Sequence, residues 1–288
     1  MNLFDKLVFT DVRDGFPHAT IPGAGGKTYH VYDCRVGFPD TYPLDGVPYL
    51  KTGFIVHHDA VAFSGADQDF NGTTINESIS RIRAVYNYHV SLDWGGVGYH
   101  SMGDLEGRLY IFGDMDQSRA HTSSNTRDTA GSLRGSPPVG LSWNGLKWGH
   151  CIMGHYSDKM LPDGTPVLPG LDRPTAPALG AMDALFRYIT ENLSSFSMDI
   201  APHKAYQLKE CPGDWAEATA WQGFKYSPVV VAPTPAPTPA PAPAPGGTGT
   251  GNAIVSVRQI RAQLESIRLD AVTAQAAAEH ALRELGGA

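Results

Sequence analysis

The chain has 288 residues, 42% of them apolar, and a formal net charge of −7. That is enough for one substantial core plus an appendage, and the acidic balance argues against nucleic acid as the main partner, since phosphate neutralisation needs clustered Lys and Arg. Three cysteines are too few for a disulfide framework, and no apolar run reaches the length of a membrane span.

Met1-Asn2-Leu3-Phe4-Asp5-Lys6-Leu7 has no uninterrupted apolar core of the signal-peptide type, so the expectation is a protein made in a cytoplasm and soluble there. Residues 1 to about 50 are rich in Gly, Pro, Asp and aromatics. They read as loops with short strands, such as Thr28-Tyr29-His30-Val31-Tyr32, packed as an extension on the main domain. Gly53-Phe54-Ile55-Val56-His57-His58 is an apolar run that ends in paired histidines, the pattern of a buried strand delivering a side chain at its end. Ile79, Ile82, Val85 and Tyr86 recur at helical spacing and predict a helix over Asn76–Tyr88. Arg81 and Arg83 are expected on its solvated face. Trp94 to His100 reads as a turn feeding a strand, and Arg108–Phe112 as its hairpin partner, with Asp104, Glu106 and Gly107 in the connection. Residues 113–149 are mostly loop, followed by a strand at Cys151-Ile152-Met153. Thr175 caps a helix whose core face is Leu179, Met182, Leu185, Phe186, Ile189 and Leu193. Cys34 and Cys151 are buried small hydrophobes. Strands alternating with helices predict an α/β domain with a central mixed β-sheet flanked by helices, spanning residues 1–227.

Composition changes at residue 228. Pro233 to Pro245 alternates Pro with Ala and Thr and predicts a polyproline II spacer of roughly 40 Å within a 228–251 linker. Over 252–288, Val257, Ile260, Leu264, Ile267, Ala271, Ala274, Ala278, Ala281 and Leu285 step alternately by three and four. This is an amphipathic helix whose apolar stripe wants a partner, and self-association as a coiled coil is the first expectation. Its balanced Arg and acidic residues argue against a polybasic membrane anchor.

His203 and Cys211 stand eight residues apart, with Lys209 two before the thiol. An imidazole and a thiol can both bind zinc, and a catalytic zinc site uses three protein ligands and one open position. On the residues alone the third ligand is expected in the His57-His58 pair. Packed core histidines, a surface lysine and a buried tyrosine are the readings that compete with this one.

The set Ile55-Val56-His57-His58, Val97-Gly98-Tyr99-His100, Arg119-Ala120-His121, and His203 followed by Lys209-Glu210-Cys211-Pro212-Gly213 resembles the type 2 N-acetylmuramoyl-L-alanine amidases. That family includes phage endolysins and is related to the peptidoglycan-recognition proteins. The resemblance runs over roughly residues 45–225. It implies zinc (Zn2+) held by His57, His203 and Cys211, with His58 a neighbour, and it points to Tyr99 and Lys209 in catalysis. Lys209 would stabilise the developing oxyanion, and Tyr99 would orient the attacking water or pass a proton to the leaving amine. His121 and Asn125 are implied to line the substrate groove, while His100 is read as structural, facing away from Tyr99 on the same strand. The implied activity is hydrolysis of the amide between N-acetylmuramic acid and L-alanine, by an endolysin released to the wall through a holin-type lesion. A non-catalytic peptidoglycan-binding module and an amidase acting on soluble muropeptides are the alternatives. Two departures stand out. His203-Lys204-Ala205 replaces the family's His-Arg-Asp type of triplet, and residues 128–148 look inserted, with Ser136-Pro137-Pro138 and Trp143 read either as groove-lining or as plain surface loop.

Overall fold

A computed structural model of the chain describes residues 3–41, 51–59, 74–122, 129, 131–154, 156, 173–194, 196–209, 211–213, 215–216, 221 and 225–227. Contacts divide the chain into two units, Met1–Val230 and Val231–Ala288. All described residues belong to the first unit, so the expected spacer at 228–251 and helix at 252–288 lie outside them.

Gly53–His58 forms strand β4, buried at every position, as its unbroken apolar run requires of a strand covered on both faces. Before it come β1 (Asp11–Arg13), β2 (Phe16–Pro22) and β3 (Thr28–Asp33). After it come β5 (Ser101–Gly103), β6 (Leu109–Ile111), β7 (Lys147–Ile152), β8 (Met198–Pro202) and β9 (Lys225–Tyr226). All nine join one sheet in the order β1-β2-β3-β6-β5-β7-β4-β8-β9. The pairs β3–β6, β5–β7, β7–β4 and β4–β8 are parallel, and the rest antiparallel. The architecture is therefore α/β with a central mixed sheet.

Helices cover the two faces. Side chains alternate along each strand: Phe54, Val56, Trp148, Ile152, Leu109 and Ile111 share one core with Leu185, Phe186 and Ile189 of helix α2 (Ala176–Leu193). Phe186 stacks on Phe54 with ring centroids 4.0 Å apart. Tyr110, Phe112, Met102 and Cys151 share the other core with Ile82 and Val85 of helix α1 (Ile75–Ser91). Thr74 and Glu77 form a reciprocal capping box that starts α1, and Thr175 Oγ1 accepts from Ala178 N to start α2. No helix among the described residues is long and apolar enough to cross a membrane.

Several expectations are corrected. α1 starts one residue before its expected span, where the capping box fixes its start, and runs three residues past it to Ser91. Arg81 is not on a solvated face: it is buried and forms an ion pair with Asp59, its NH2 donating to Oδ1 at 2.7 Å. Arg83 is exposed, its guanidinium 5.2 Å over the Phe38 ring. The strand after Tyr99 begins only at Ser101, so Tyr99 and His100 sit in the irregular backbone before it. The strand expected at Cys151 starts at Lys147, after a short helical turn at Trp143–Leu146 capped by Ser142. Of the N-terminal extension, β1, β2 and β3 are part of the sheet, joined to it through β3, and Leu3 and Leu7 are in the α2-side core. Cys34 and Cys151 are buried free thiols.

Two consequences follow for stability. Arg81→Met leaves the Asp59 carboxylate buried without its cation, and urea unfolding is expected to lose about 3–5 kcal/mol, against no more than about 0.5 kcal/mol for Arg83→Ala. Burial pushes the imidazoles of His89 and His150 down to about 4 and about 3, whereas an unfolded histidine titrates near 6.5. Below about pH 6.5 the unfolded chain therefore binds more protons than the folded one, and stability falls with pH through that window. The urea midpoint is expected to be clearly lower at about pH 4.5 than at about pH 7, and a midpoint flat over that range would contradict neutral burial.

Candidate metal centre

The C-terminal ends of two adjacent parallel strands carry the first two site residues. Val56 of β4 lies opposite Pro202 of β8, so His57, next on β4, and His203, the first residue past β8, come side by side. Their ring centroids are 4.4 Å apart. Past Pro202 the chain makes a tight helical turn, His203–Ala205, and Lys204 N donates to Cys211 O at 2.8 Å. That bond folds the 204–211 loop back and returns Cys211 to the strand ends. His57, His203 and Cys211 each offer one ligand atom, and these atoms lie within 4.8 Å of one another.

Hydrogen bonds set which nitrogen of each ring is available. Lys147 O can only accept, so His121 Nε2, 3.0 Å away, carries the proton. Burial holds the His121 pKa well below its ordinary value, so the ring is neutral and its Nδ1 is bare. That Nδ1, 3.2 Å from His57 Nε2, accepts from it. His57 Nδ1 is left with its lone pair, 3.8 Å from Cys211 Sγ. His203 Nε2 donates to Gln207 Oε1 at 2.5 Å and likewise keeps Nδ1 bare. Burial, foremost, drives the His57 pKa well below normal and the His203 pKa to about 3. Burial also pushes the Cys211 thiol up to about 12, although His58 N donates to its sulfur at 3.3 Å. Two neutral imidazoles with outward lone pairs and one sulfur already accepting an N–H form a donor set that fits a borderline-soft divalent cation such as zinc.

The other expected residues surround this cluster. The Tyr99 ring is 5.2 Å from that of His57, and the residue is 9% exposed. Its loop is pinned on two sides: Gly98 N donates to His89 Nδ1 at 2.9 Å, and Arg119 NH1 donates to Val97 O at 2.8 Å. Lys209 is exposed, and its charge acts on both His203 and Cys211. The His58 ring turns away from the cluster, its Nδ1 accepting from Tyr156 N at 3.3 Å. His121 is 4% exposed, with its ring over Gly149, where a Cβ would stand 2.4 Å from His121 Cγ. Asn125 lies outside the described residues. His100 is buried, bonded to Gln117 O and Gly149 N. Trp143 of the insertion packs edge-on against Tyr206 at 4.9 Å and donates to Gly135 O at 3.3 Å, which ties it into the fold.

Residues without a motif hold the arrangement. Arg119 is buried and bonds Val97 O, Phe112 O and Asp40, joining three loops. Lys51 is fully buried and donates to Gln117 O, Asn144 O and Gly145 O at 2.5–3.0 Å. Gln207 and His121 orient the two imidazoles. The only local signal for Gln207 is its place four residues after His203.

No family model matches the chain, and no curated protein does. Among solved structures it is similar to Drosophila peptidoglycan recognition protein SD, at 14% identity and a TM-score of 0.45, over 66% of this chain and 89% of that one. It is similar to wild-type Drosophila PGRP-LB at 15% identity and a TM-score of 0.43, over 68% and 92%. The endolysin N-acetylmuramoyl-L-alanine amidase LysCS of Clostridium intestinale is similar at 18% identity and a TM-score of 0.38, over 61% and 82%.

The geometry gives a direct expectation for metal content. Protein dialysed against zinc carries about one ion per chain, falling to trace in Cys211→Ser and retained in His58→Gln. Equal loss in the two variants would contradict the ligand assignment.

Proposed function

We propose that the chain is a zinc-dependent N-acetylmuramoyl-L-alanine amidase that cuts the amide between the lactyl group of N-acetylmuramic acid and L-alanine in peptidoglycan. The observation that carries this reading is the convergence of the His57 and His203 nitrogens and the Cys211 sulfur within 4.8 Å, in a chain whose motif order resembles that family. Three protein ligands leave a fourth position open, which is the pattern of a catalytic rather than a structural zinc. Zinc bound there would polarise the amide carbonyl and supply a water activated near neutral pH.

The chain's own residues account for the rest of the chemistry. Burial first, and the neighbouring Cys151 and Cys211 next, raise the Tyr99 phenol well above its ordinary value. The hydroxyl therefore stays protonated and serves as a hydrogen-bond donor to water or to the leaving amine. The exposed Lys209, whose charge acts on His203 and Cys211, would stabilise the oxyanion that develops as the carbonyl carbon becomes tetrahedral. His121 and Gln207 keep both ligand imidazoles in one tautomer while charge builds beside them. The donor set supports zinc, and the motif resemblance supports a phage-lytic role.

Digestion of purified peptidoglycan tests it. Release of N-terminal L-alanine without new reducing sugar ends is expected. Tyr99→Phe and Lys209→Ala are expected to lower kcat roughly 10²-fold or more while keeping bound zinc. New reducing ends, or intact wall with a fully zinc-loaded protein, would overturn the amidase reading, and the second result would favour a binding module.

A further inference from the structure

We propose that Gln207 is a positioning residue for the metal ligand His203, and that the dipeptide His121–Thr122 clamps both histidine ligands at once, held in place by Asn144 of the 128–148 insertion. The inference rests on the metal-centre reading and adds to it a route by which the insertion acts on the metal.

Gln207 Oε1 accepts from His203 Nε2 at 2.5 Å and from the Thr122 hydroxyl at 3.3 Å. Gln207 is 7% exposed, so water does not replace a lost partner there. Gln207 N donates to His203 O at 3.1 Å, and this turn lays the carboxamide back over the imidazole four residues before it. Thr122 is fixed in turn, its N donating to Asn144 Oδ1 at 2.8 Å. The preceding residue, His121, bonds His57 at 3.2 Å. The two ligand imidazoles are thus tied to consecutive residues of one loop, His57 through a ring and His203 through a carboxamide. Asn144 sits in the capped turn Trp143–Leu146, and its carbonyl accepts from buried Lys51 at 3.0 Å. A shift of that turn moves Thr122, then Gln207, then His203. Outer partners of this kind fix the tautomer and raise the basicity of the ligating nitrogen.

Zinc affinity by chelator competition and the visible spectrum of the cobalt-substituted full chain test the proposal. Gln207→Leu is expected to weaken zinc by about 10–100-fold and to alter the cobalt ligand-field bands. Gln207→Glu, which keeps an acceptor oxygen for both donors, is expected to return to within about threefold of wild type. Thr122→Val, which removes only the anchoring bond, is expected to lose about 3–10-fold, and it decides the matter if Gln207→Leu fails to fold. Wild-type zinc affinity in Gln207→Leu, or Gln207→Glu as weak as Gln207→Leu, would overturn the clamp and leave the metal centre standing. A wild-type chain that takes up no zinc would overturn the metal reading itself.

Discussion

Everything at the site depends on one register. β4 and β8 run parallel with Val56 opposite Pro202, so the residue after each is a histidine and the two rings meet at the strand ends. A slip of one residue would turn His57 toward α2, into the core that holds Phe54 and Val56. The register is well specified because β4 is buried on both faces and β7 locks it from the other side. Ligand sites in α/β sheets gather at the carboxyl ends of parallel strands, and here the strand ends themselves supply two of the three donors. The third costs only a short loop, closed by Lys204 N on Cys211 O.

Burial gives the cluster its electrostatic character. His57, His121 and His203 are all held neutral, so their nitrogens do not compete with protons for a cation near neutral pH. Neutral rings also allow a directional chain of hydrogen bonds, from His57 through His121 to the Lys147 carbonyl, which a charged pair of imidazoles would break by repulsion. The charged side chains that remain inside are each engaged where they bridge segments: Arg81 from α1 to the end of β4, Arg119 among three loops, and Lys51 onto the Trp143 turn.

Periodicity made the framework legible in the sequence. The apolar runs of β4 and β3 and the helical stripe of α2 appear with nearly the expected bounds, because those patterns follow from burying one face or two. The three proposed ligands were legible from spacing and motif order, and the structure brings them together. What was not legible is the set of residues that aims them. Gln207 and Thr122 are 85 positions apart, and Lys51 reaches carbonyls 66 to 94 positions away. Such bonds depend on tertiary position, which no local pattern encodes. The same limit explains Arg81, whose helical position looked solvated until Asp59 came to lie beside it, and His121, whose motif marked it as important but not as buried.

The first fifty residues bear on how chains of this kind are recombined. β2 and β3 extend the sheet through a parallel pairing with β6, and Leu3 N is held by the Asp114 carboxylate at 2.7 Å. A graft that kept residues 45–225, where the motifs lie, would cut through a continuous sheet and expose the open edge of β6 to intermolecular pairing. The portable unit is set by the ladder of hydrogen bonds, and it begins well before the first motif.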